Sequence, residues 1–184
     1  MKNRFAAFLT LFLISCADNY TPKPRAFFKI NLPDKSYERI DVNCNFSFEK
    51  PIYSTLKNIG KKCLYNLEFS SQNGVLHITY LPIKDNLSVH IEQSRSLAYK
   101  HNMIADAISE TVYINEENKV YGLLYDFDGN TATSIQFYLT DSINHFFRGA
   151  LYFNTEVTDS ILPINNFLKK DIKKLIESFR WESQ

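Results

Sequence analysis

Four histidines, His77, His90, His101 and His145, are the residues with which this chain could bind a metal ion or transfer a proton near neutral pH. Only His90 and His101 are near enough in sequence to share one predicted helix, and eleven helical residues separate them by about 16 Å. That distance is too great for two ligands of one metal ion, so solvated or core histidines are the simpler interpretation. The chain also lacks GxSxG, P-loop, HExxH and CxxC motifs. The sequence therefore predicts no catalytic residues, no metal and no cofactor.

Cys16 is a candidate for lipid attachment. It ends a segment with a short basic start and an apolar core of ten residues, 5–14, which is too short to span a bilayer and has the length of a signal-peptide core. Residues 13–16 read Leu-Ile-Ser-Cys and resemble a bacterial lipobox, whose thiol takes a diacylglycerol before cleavage. We expect residues 1–15 to be a lipoprotein signal peptide and Cys16 to carry the lipid. An ordinary signal peptide with a chance cysteine is the alternative.

The other two cysteines are Cys44 and Cys63. An exported protein folds in an oxidising setting, so a disulfide is the natural pairing once Cys16 is consumed by lipid. Such a bridge would close a loop of about 20 residues and contribute on the order of 3 kcal/mol to stability. Two buried free thiols are the alternative.

Ser142 and Ser160 are candidate modification sites, because each lies between an aspartate and an isoleucine. That Asp-Ser-apolar pattern resembles O-glycan acceptors in some gliding bacteria. The alternative roles are a turn residue for Ser142 and a helix N-cap for Ser160.

Asp126, Asp128 and Asn130 are spaced as in a calcium-binding loop. An EF-hand starting at Asp126 needs Gly at its sixth position and Glu at its twelfth. The chain has Gly129 at the fourth position and Phe137 at the twelfth, so we predict a hairpin turn here instead.

The charge balance bears on the kind of partner. The chain has 21 basic and 20 acidic residues, and removal of residues 1–15 takes away Lys2 and Arg4, leaving 19 against 20. A net charge of −1 on the mature chain argues against nucleic acid, which usually requires a basic excess. With 45% hydrophobic and 22% charged residues, the chain has the composition of a folded protein.

Three prolines mark the segment that follows the signal peptide, which we interpret as an extended tether. Phe27 and Phe28 are too apolar for a pure linker, so we expect them to lie against the domain as an arm and to offer a contact surface. The predicted organisation is a signal peptide at 1–15, a lipid-anchored tether and arm at 16–35, and one globular domain at 36–184. A polar cluster on the first predicted helix, around Arg95 and Tyr99, is a second contact surface and lacks a catalytic partner.

Apolar periodicity predicts seven strands and two helices in the domain. The strands are expected at 45–50, 63–69, 75–81, 108–114, 120–127, 133–139 and 146–153, and the helices at 87–100 and 161–179. Residues 51–62 are predicted to be a loop, residues 73–74 a hairpin turn, and residues 159–160 the N-cap of the second helix.

This order of elements, with links of hairpin length, predicts an α+β fold. It consists of a mostly antiparallel sheet with helices packed on one or both faces. The order also looks like the PsbP/Mog1-type α/β/α sandwich.

Several segments resemble the GldD-type gliding-motility lipoproteins. They are the tether at 20–25, SRSLAYKH at 94–101, VYGLLYD at 120–126, SIQFYLTDS at 134–142, NHFFRGALYFN at 144–154 and the end of the closing helix at 176–181. Residues 52–62 show no such likeness.

The resemblance implies a non-enzymatic, membrane-anchored lipoprotein needed for assembly or stability of the gliding motility and type IX secretion machinery. Its implied partners are other envelope proteins of that machinery, and it implies no catalytic residues. Ala17, not Asp, follows the lipidated cysteine, which by the sorting rule of well-studied didermal bacteria favours the outer membrane, facing the periplasm. The alternative function is an envelope protein that handles a small ligand or glycan, including by hydrolysis.

Overall fold

The structure is a computed structural model that describes residues 30–40, 42–60, 62–100, 105–129, 131–155, 157–158 and 160–182. The strands in these ranges are β1 (Tyr37–Arg39), β2 (Phe46–Ser47), β3 (Glu49–Pro51), β4 (Thr55–Asn58), β5 (Leu64–Phe69), β6 (Gly74–Pro82), β7 (Ala107–Asn115), β8 (Val120–Asp128), β9 (Thr133–Thr140), β10 (His145–Phe153) and β11 (Arg180–Trp181). The helices are α1 (Leu87–Tyr99) and α2 (Leu162–Ser178). Neither of these two helices has the length and apolar character needed to cross a bilayer.

Seven strands form the main sheet, in the order β4-β5-β6-β10-β9-β8-β7, and every neighbouring pair is antiparallel. The chain builds β4 to β6 first, crosses through α1 to the far edge, and returns from β7 to β10. β10 then pairs with β6 at the centre of the sheet. This confirms the predicted α+β fold, because short links between successive strands can only make antiparallel neighbours.

One face of the sheet, called the inner face below, packs against α2. Alternate residues of each strand point to this side, and Phe147 of β10 lies near its centre. Its ring lies 5.0 Å from that of Phe46 and 4.9 Å from that of Phe179. Each such buried ring contributes about 1.5–3 kcal/mol, so the aromatic cluster is a main source of stability. Gly149 makes room for it, since a Cβ there would lie 2.4 Å from the Phe137 ring.

The opposite face, called the outer face, is only partly covered by α1. The helix packs mainly on β9 and β10, and its His90 ring lies 5.3 Å from that of Phe146. Its last turn reaches β8, where Ala98, Tyr125 and Phe127 form a second, smaller core. His77, on the neighbouring β6, remains exposed to solvent. The helices therefore cover the inner face more completely than the outer face.

Two predicted elements differ from the structure. The strand expected at 45–50 is interrupted at Phe48, and its halves leave the main sheet: β2 pairs with β11 and β3 with β1. Phe46, Ser47 and Phe48 are all buried, so the alternation that predicted one half-buried strand does not apply. The loop expected at 51–62 contains β4, whose mostly polar sequence lacks a strand pattern and which forms by pairing with β5.

The ends of two elements also differ. The β5–β6 hairpin is present, but its link is residues 70–73, with Asn73 in the left-handed region at φ 51° and Gly74 already in β6. The expected N-cap at 159–160 is wrong, because α2 begins at Leu162 after Ile161 and has no side-chain cap. Pro163 has no N–H to satisfy, and the Ser160 hydroxyl instead bonds that of Thr158 at 2.8 Å.

Candidate functional site

A groove at one end of the main sheet gathers side chains from separate parts of the chain. Its volume is about 500 Å³. Lys119 comes from the β7–β8 turn, Asp141 from the β9–β10 turn, His145 from the start of β10, and Arg180 and Trp181 from β11. It is larger than two other cavities lined by described residues, of about 220 and 370 Å³, and it brings polar and aromatic groups together as binding sites do.

Two stacked rings form one wall of the groove. The centroids of His145 and Trp181 are 5.1 Å apart and their planes differ by 24°. The Trp181 indole donates to the Lys119 carbonyl at 3.1 Å, and its ring packs 4.7 Å from Phe179 in the core. On the other side, His145 Nδ1 lies 2.7 Å from the Tyr80 hydroxyl. The wall is therefore held in place by the core and by the backbone.

Asp141 shapes the turn that presents His145. Its Oδ1 accepts the backbone N–H groups of Ile143 at 3.0 Å, Asn144 at 2.8 Å and His145 at 2.8 Å. Burial alone would raise the pKa of this carboxyl, but the three backbone donors outweigh it and lower the pKa. The carboxylate is thus ionised and occupied by the turn, which leaves it poorly suited to act as a general base.

The groove has the chemistry of a binding surface. None of the described lining residues is a serine, threonine or cysteine that His145 could activate. The Tyr80 phenol stays protonated, because burial first and the Asp141 charge second raise its pKa. No set of three His, Cys, Asp or Glu side chains in the described ranges is arranged to hold a metal ion. The lining residues can therefore bind a partner through aromatic stacking, charge and hydrogen bonding.

The structure separates the histidines of the sequence analysis. His77 bonds Asn66 Oδ1 at 2.9 Å on the outer face, His90 packs on Phe146 under α1, and His145 lies in the groove. His101 lies outside the described residues. The three described histidines do not lie together in one site.

Cys44 and Cys63 are joined by a disulfide with an S–S distance of 2.08 Å. Both are buried, and Cys44 Sγ lies 3.5 Å from the Tyr65 hydroxyl. The bridge connects Cys44, two residues before β2, to Cys63, the residue before β5, and so closes the segment that contains β4. Cys16 lies outside the described residues, so its lipid stays a prediction.

Both candidate glycosylation serines are exposed. Ser142 lies in the β9–β10 turn at φ 71°, and Ser160 lies just before α2. Exposure is what a glycan acceptor requires, and the modification itself stays a prediction. Asp126, from the rejected calcium loop, pairs with Lys169 of α2, while Asn130 lies outside the described residues.

The two predicted contact surfaces are placed differently. Arg95 and Tyr99 are exposed on α1, with the guanidinium 5.7 Å from the ring centroid and the Tyr99 hydroxyl donating to Glu110 at 2.7 Å. Phe27 and Phe28 lie outside the described residues. The next residues, 30–33, line a cavity of about 370 Å³ together with Tyr53 and the start of α2. This part of the predicted arm does lie against the body of the protein.

Sequence reasoning missed the groove, because its residues are far apart in the chain and follow no motif. The lone tryptophan, Trp181, was the signal that could have indicated it, since a polar-tipped aromatic near a chain end is typical of a partly exposed site.

Comparison with known proteins gives the family. None of the curated proteins with which the chain was compared matches it significantly. A family model described as gliding motility lipoprotein GldD matches residues 17–181, a range that holds the disulfide, the two helices and all the strands of the described residues, and every lining residue of the groove except Glu182. That family is named for a motility lipoprotein and for no enzymatic activity. The chain therefore belongs to the GldD family of gliding motility lipoproteins.

Proposed function

We propose that this protein is a non-enzymatic lipoprotein that supports assembly or stability of the gliding motility and type IX secretion machinery by contact with other envelope proteins. The observation that carries the proposal is the family match over residues 17–181. The groove supports it, because its rings and charges can bind a partner while its described lining offers no nucleophile for His145.

The anchor in this proposal is a lipid on Cys16 after removal of residues 1–15. Residues 16–29 then separate the membrane from the described arm by up to about 45 Å when extended. Acyl chains including palmitate would hold the protein at the outer membrane, facing the periplasm, and would concentrate it near a membrane-bound complex. Cys16→Ser should release the protein from membranes, weaken gliding and secretion, and abolish globomycin-sensitive processing.

The groove is tested by a matched pair of charge reversals. Arg180→Glu changes an exposed cation at the groove rim, and Lys170→Glu changes an exposed cation on α2 outside it. We expect Arg180→Glu to weaken gliding and secretion at normal protein level, and Lys170→Glu to leave both intact. If loss of His145 alone abolished function in a folded, anchored protein that tolerates Arg180→Glu, the enzymatic alternative would be favoured.

The stacked rings favour a second candidate, binding of a small polar ligand or glycan. Sugar rings pack on aromatic faces, and the wall of Trp181 and His145 opens into a polar groove. The only tryptophan of the chain reports on this wall, so its fluorescence can be followed during titration with envelope glycan fragments. A saturable change that Arg180→Glu weakens would support this candidate, and an unchanged spectrum would contradict it.

Glycosylation at Ser142 and Ser160 completes the proposal. Both serines are exposed, as an acceptor must be. Intact mass measurement of the native protein, with Ser142→Ala and Ser160→Ala as controls, should show the added sugar and which serine carries it.

A further inference from the structure

The two edges of the main sheet are protected very differently. β4 has four residues, and its Lys57 pairs with Glu68 of β5 at 2.7 Å. β7 has nine residues, all in continuous register with β8. Short strands and lysines are the usual means by which edge strands avoid pairing with other chains. The β4 edge has both of them.

β7 has none of these protections. Its sequence contains no lysine, arginine or proline, and its pairing with β8 shows no shift that would twist the edge away. Its one charged residue, Glu110, is tied to α1 by the bond from Tyr99. Val112 and Ile114 are 67% and 63% exposed on the outer face. Among the described residues, β8 is the only strand that pairs with β7.

We propose that β7 is a dimer interface, on which the β7 strand of a second copy of this chain adds in antiparallel orientation. The two main sheets then form one continuous sheet of fourteen strands, twice the seven of one copy. Backbone hydrogen bonds along both strands would use the groups that β7 leaves unpaired at this edge.

One register uses the whole strand. Pairing centred on Thr111 engages all nine residues and places Ile108 opposite Ile114 of the second copy. Glu110 then lies opposite Val112 of the second copy, so no like charges face each other. Thr111 lies opposite Thr111 of the second copy on the two-fold axis, a pairing that strands favour.

The symmetry also suits a protein that is anchored to one membrane. The two-fold axis of such a pair is perpendicular to the sheet, so the same face points to the same side in both copies. The arm at 30–33 lies on the side of α2, where Lys35 bonds Asp171 at 2.5 Å. Residues 30–33 of both copies therefore lie on the same side of the joined sheet, and two anchors on that side would hold the pair at one membrane more firmly than one.

The test is disulfide crosslinking of the full-length protein in native membranes. In this register the Cα atoms of position 111 in the two copies lie within the range that a disulfide bridges. Thr111→Cys should give a disulfide-linked species of twice the chain mass, and Thr55→Cys on the β4 edge should not. A monomer for Thr111→Cys, equal crosslinking of both variants, or crosslinking of Thr111→Cys to a different protein would overturn the proposal.

Charge substitutions at Val112 test the register. Val112→Glu places two carboxylates opposite each other at two symmetric positions, and we expect it to reduce the Thr111→Cys crosslink on the order of tenfold. Val112→Lys places an ammonium opposite Glu110 of the second copy, so the crosslink should persist. Equal loss with both variants would contradict this register.

Discussion

A buried carboxylate on the inner face of the main sheet has several hydrogen-bond partners, whereas a half-buried guanidinium on the outer face has one described partner. On the inner face, Asp171 of α2 is buried and accepts bonds from Lys35 at 2.5 Å, Tyr37 at 2.8 Å and Tyr53 at 2.5 Å. On the outer face, the half-buried Arg148 donates to Gln136 at 2.6 Å. No described carboxylate lies within 4.0 Å of its guanidinium.

The outer face therefore holds the less stabilised charge. Burial lowers the pKa of Arg148, and burial together with the Arg148 charge lowers the pKa of His77 beside it. Ser134 Oγ and Gln136 Nε2 are also buried on this face without a hydrogen-bond partner. Asn165 Oδ1 of α2 is buried without a partner as well, so uncharged groups of this kind cost stability on both faces and do not distinguish them. The faces differ in their charges: Asp171 and Lys169 on the inner face have partners of opposite charge, and Arg148 on the outer face has none among the described residues.

Removal of the Asp171 carboxylate should have the largest effect on the free energy of unfolding. Asp171→Ala leaves Lys35 and two phenols without their shared acceptor, and we expect it to lower the free energy of unfolding by about 3–5 kcal/mol. Urea denaturation measures this loss, and Asp171→Asn, which keeps the shape and one acceptor, should cost less. A loss below about 1 kcal/mol for Asp171→Ala would show that the inner-face bonds contribute little.

The same bonds predict a pH dependence. Burial first, and the bond to Asp171 second, raise the pKa values of Tyr37 and Tyr53 above their usual value near 10. A raised folded-state pKa contributes stability that is fully present below the unfolded pKa and is lost as pH rises through the folded value. The free energy of unfolding should therefore fall above about pH 10 in the wild type, and less steeply in Asp171→Ala.

Loss of the disulfide should have the second largest effect on stability. The double variant Cys44→Ala, Cys63→Ala removes a bridge that spans 19 residues, and the loop-entropy model gives a loss of about 3 kcal/mol. Thermal unfolding of this variant should match that of reduced wild type. Two alkylatable thiols in freshly isolated, unreduced protein would contradict the bridge.

Substitution of Asp141 should lower stability by a moderate amount that depends on pH. Asp141→Ala removes the acceptor of three backbone donors in a partly exposed turn, so the expected loss at neutral pH is about 1–2 kcal/mol. The folded-state pKa of Asp141 is lowered, so its contribution is present above the unfolded pKa and is lost as pH falls through the folded value. The gap between variant and wild type should thus narrow below about pH 4, and a constant gap would contradict the role of its charge.

Arg148 should have the smallest effect on stability. Arg148→Gln removes a desolvated charge that has no described counter-ion, which offsets the lost bond to Gln136, so we expect a change within about 0.5 kcal/mol. Lys169→Gln is the matched control on the inner face, because Lys169 is buried, pairs with Asp126 and bonds the Phe127 carbonyl at 3.1 Å. Equal losses of unfolding free energy in the two variants would show that the two faces do not differ in this respect.

The α+β fold, both helices and six of the seven main-sheet strands could be predicted from local pattern. Alternation such as Leu76 and Ile78 in β6, and the three-and-four spacing of α2, determine which side of each element is buried. β4 could not be predicted, because its one apolar residue, Leu56, gives no alternation, and such a segment forms a strand only where β5 offers unpaired backbone groups.

The sequence by itself also determined the family and the candidate cysteine pair, because a string of segments in order and an odd cysteine count are properties of the chain alone. Only the tertiary structure decided what lies together. Trp181 meets His145 and Lys119 because β11 pairs with β2, which no local pattern specifies. Contacts between distant segments depend on how the whole sheet closes, so the groove, the surroundings of Arg148 and the position of β7 at the sheet edge appear only once the chain is folded.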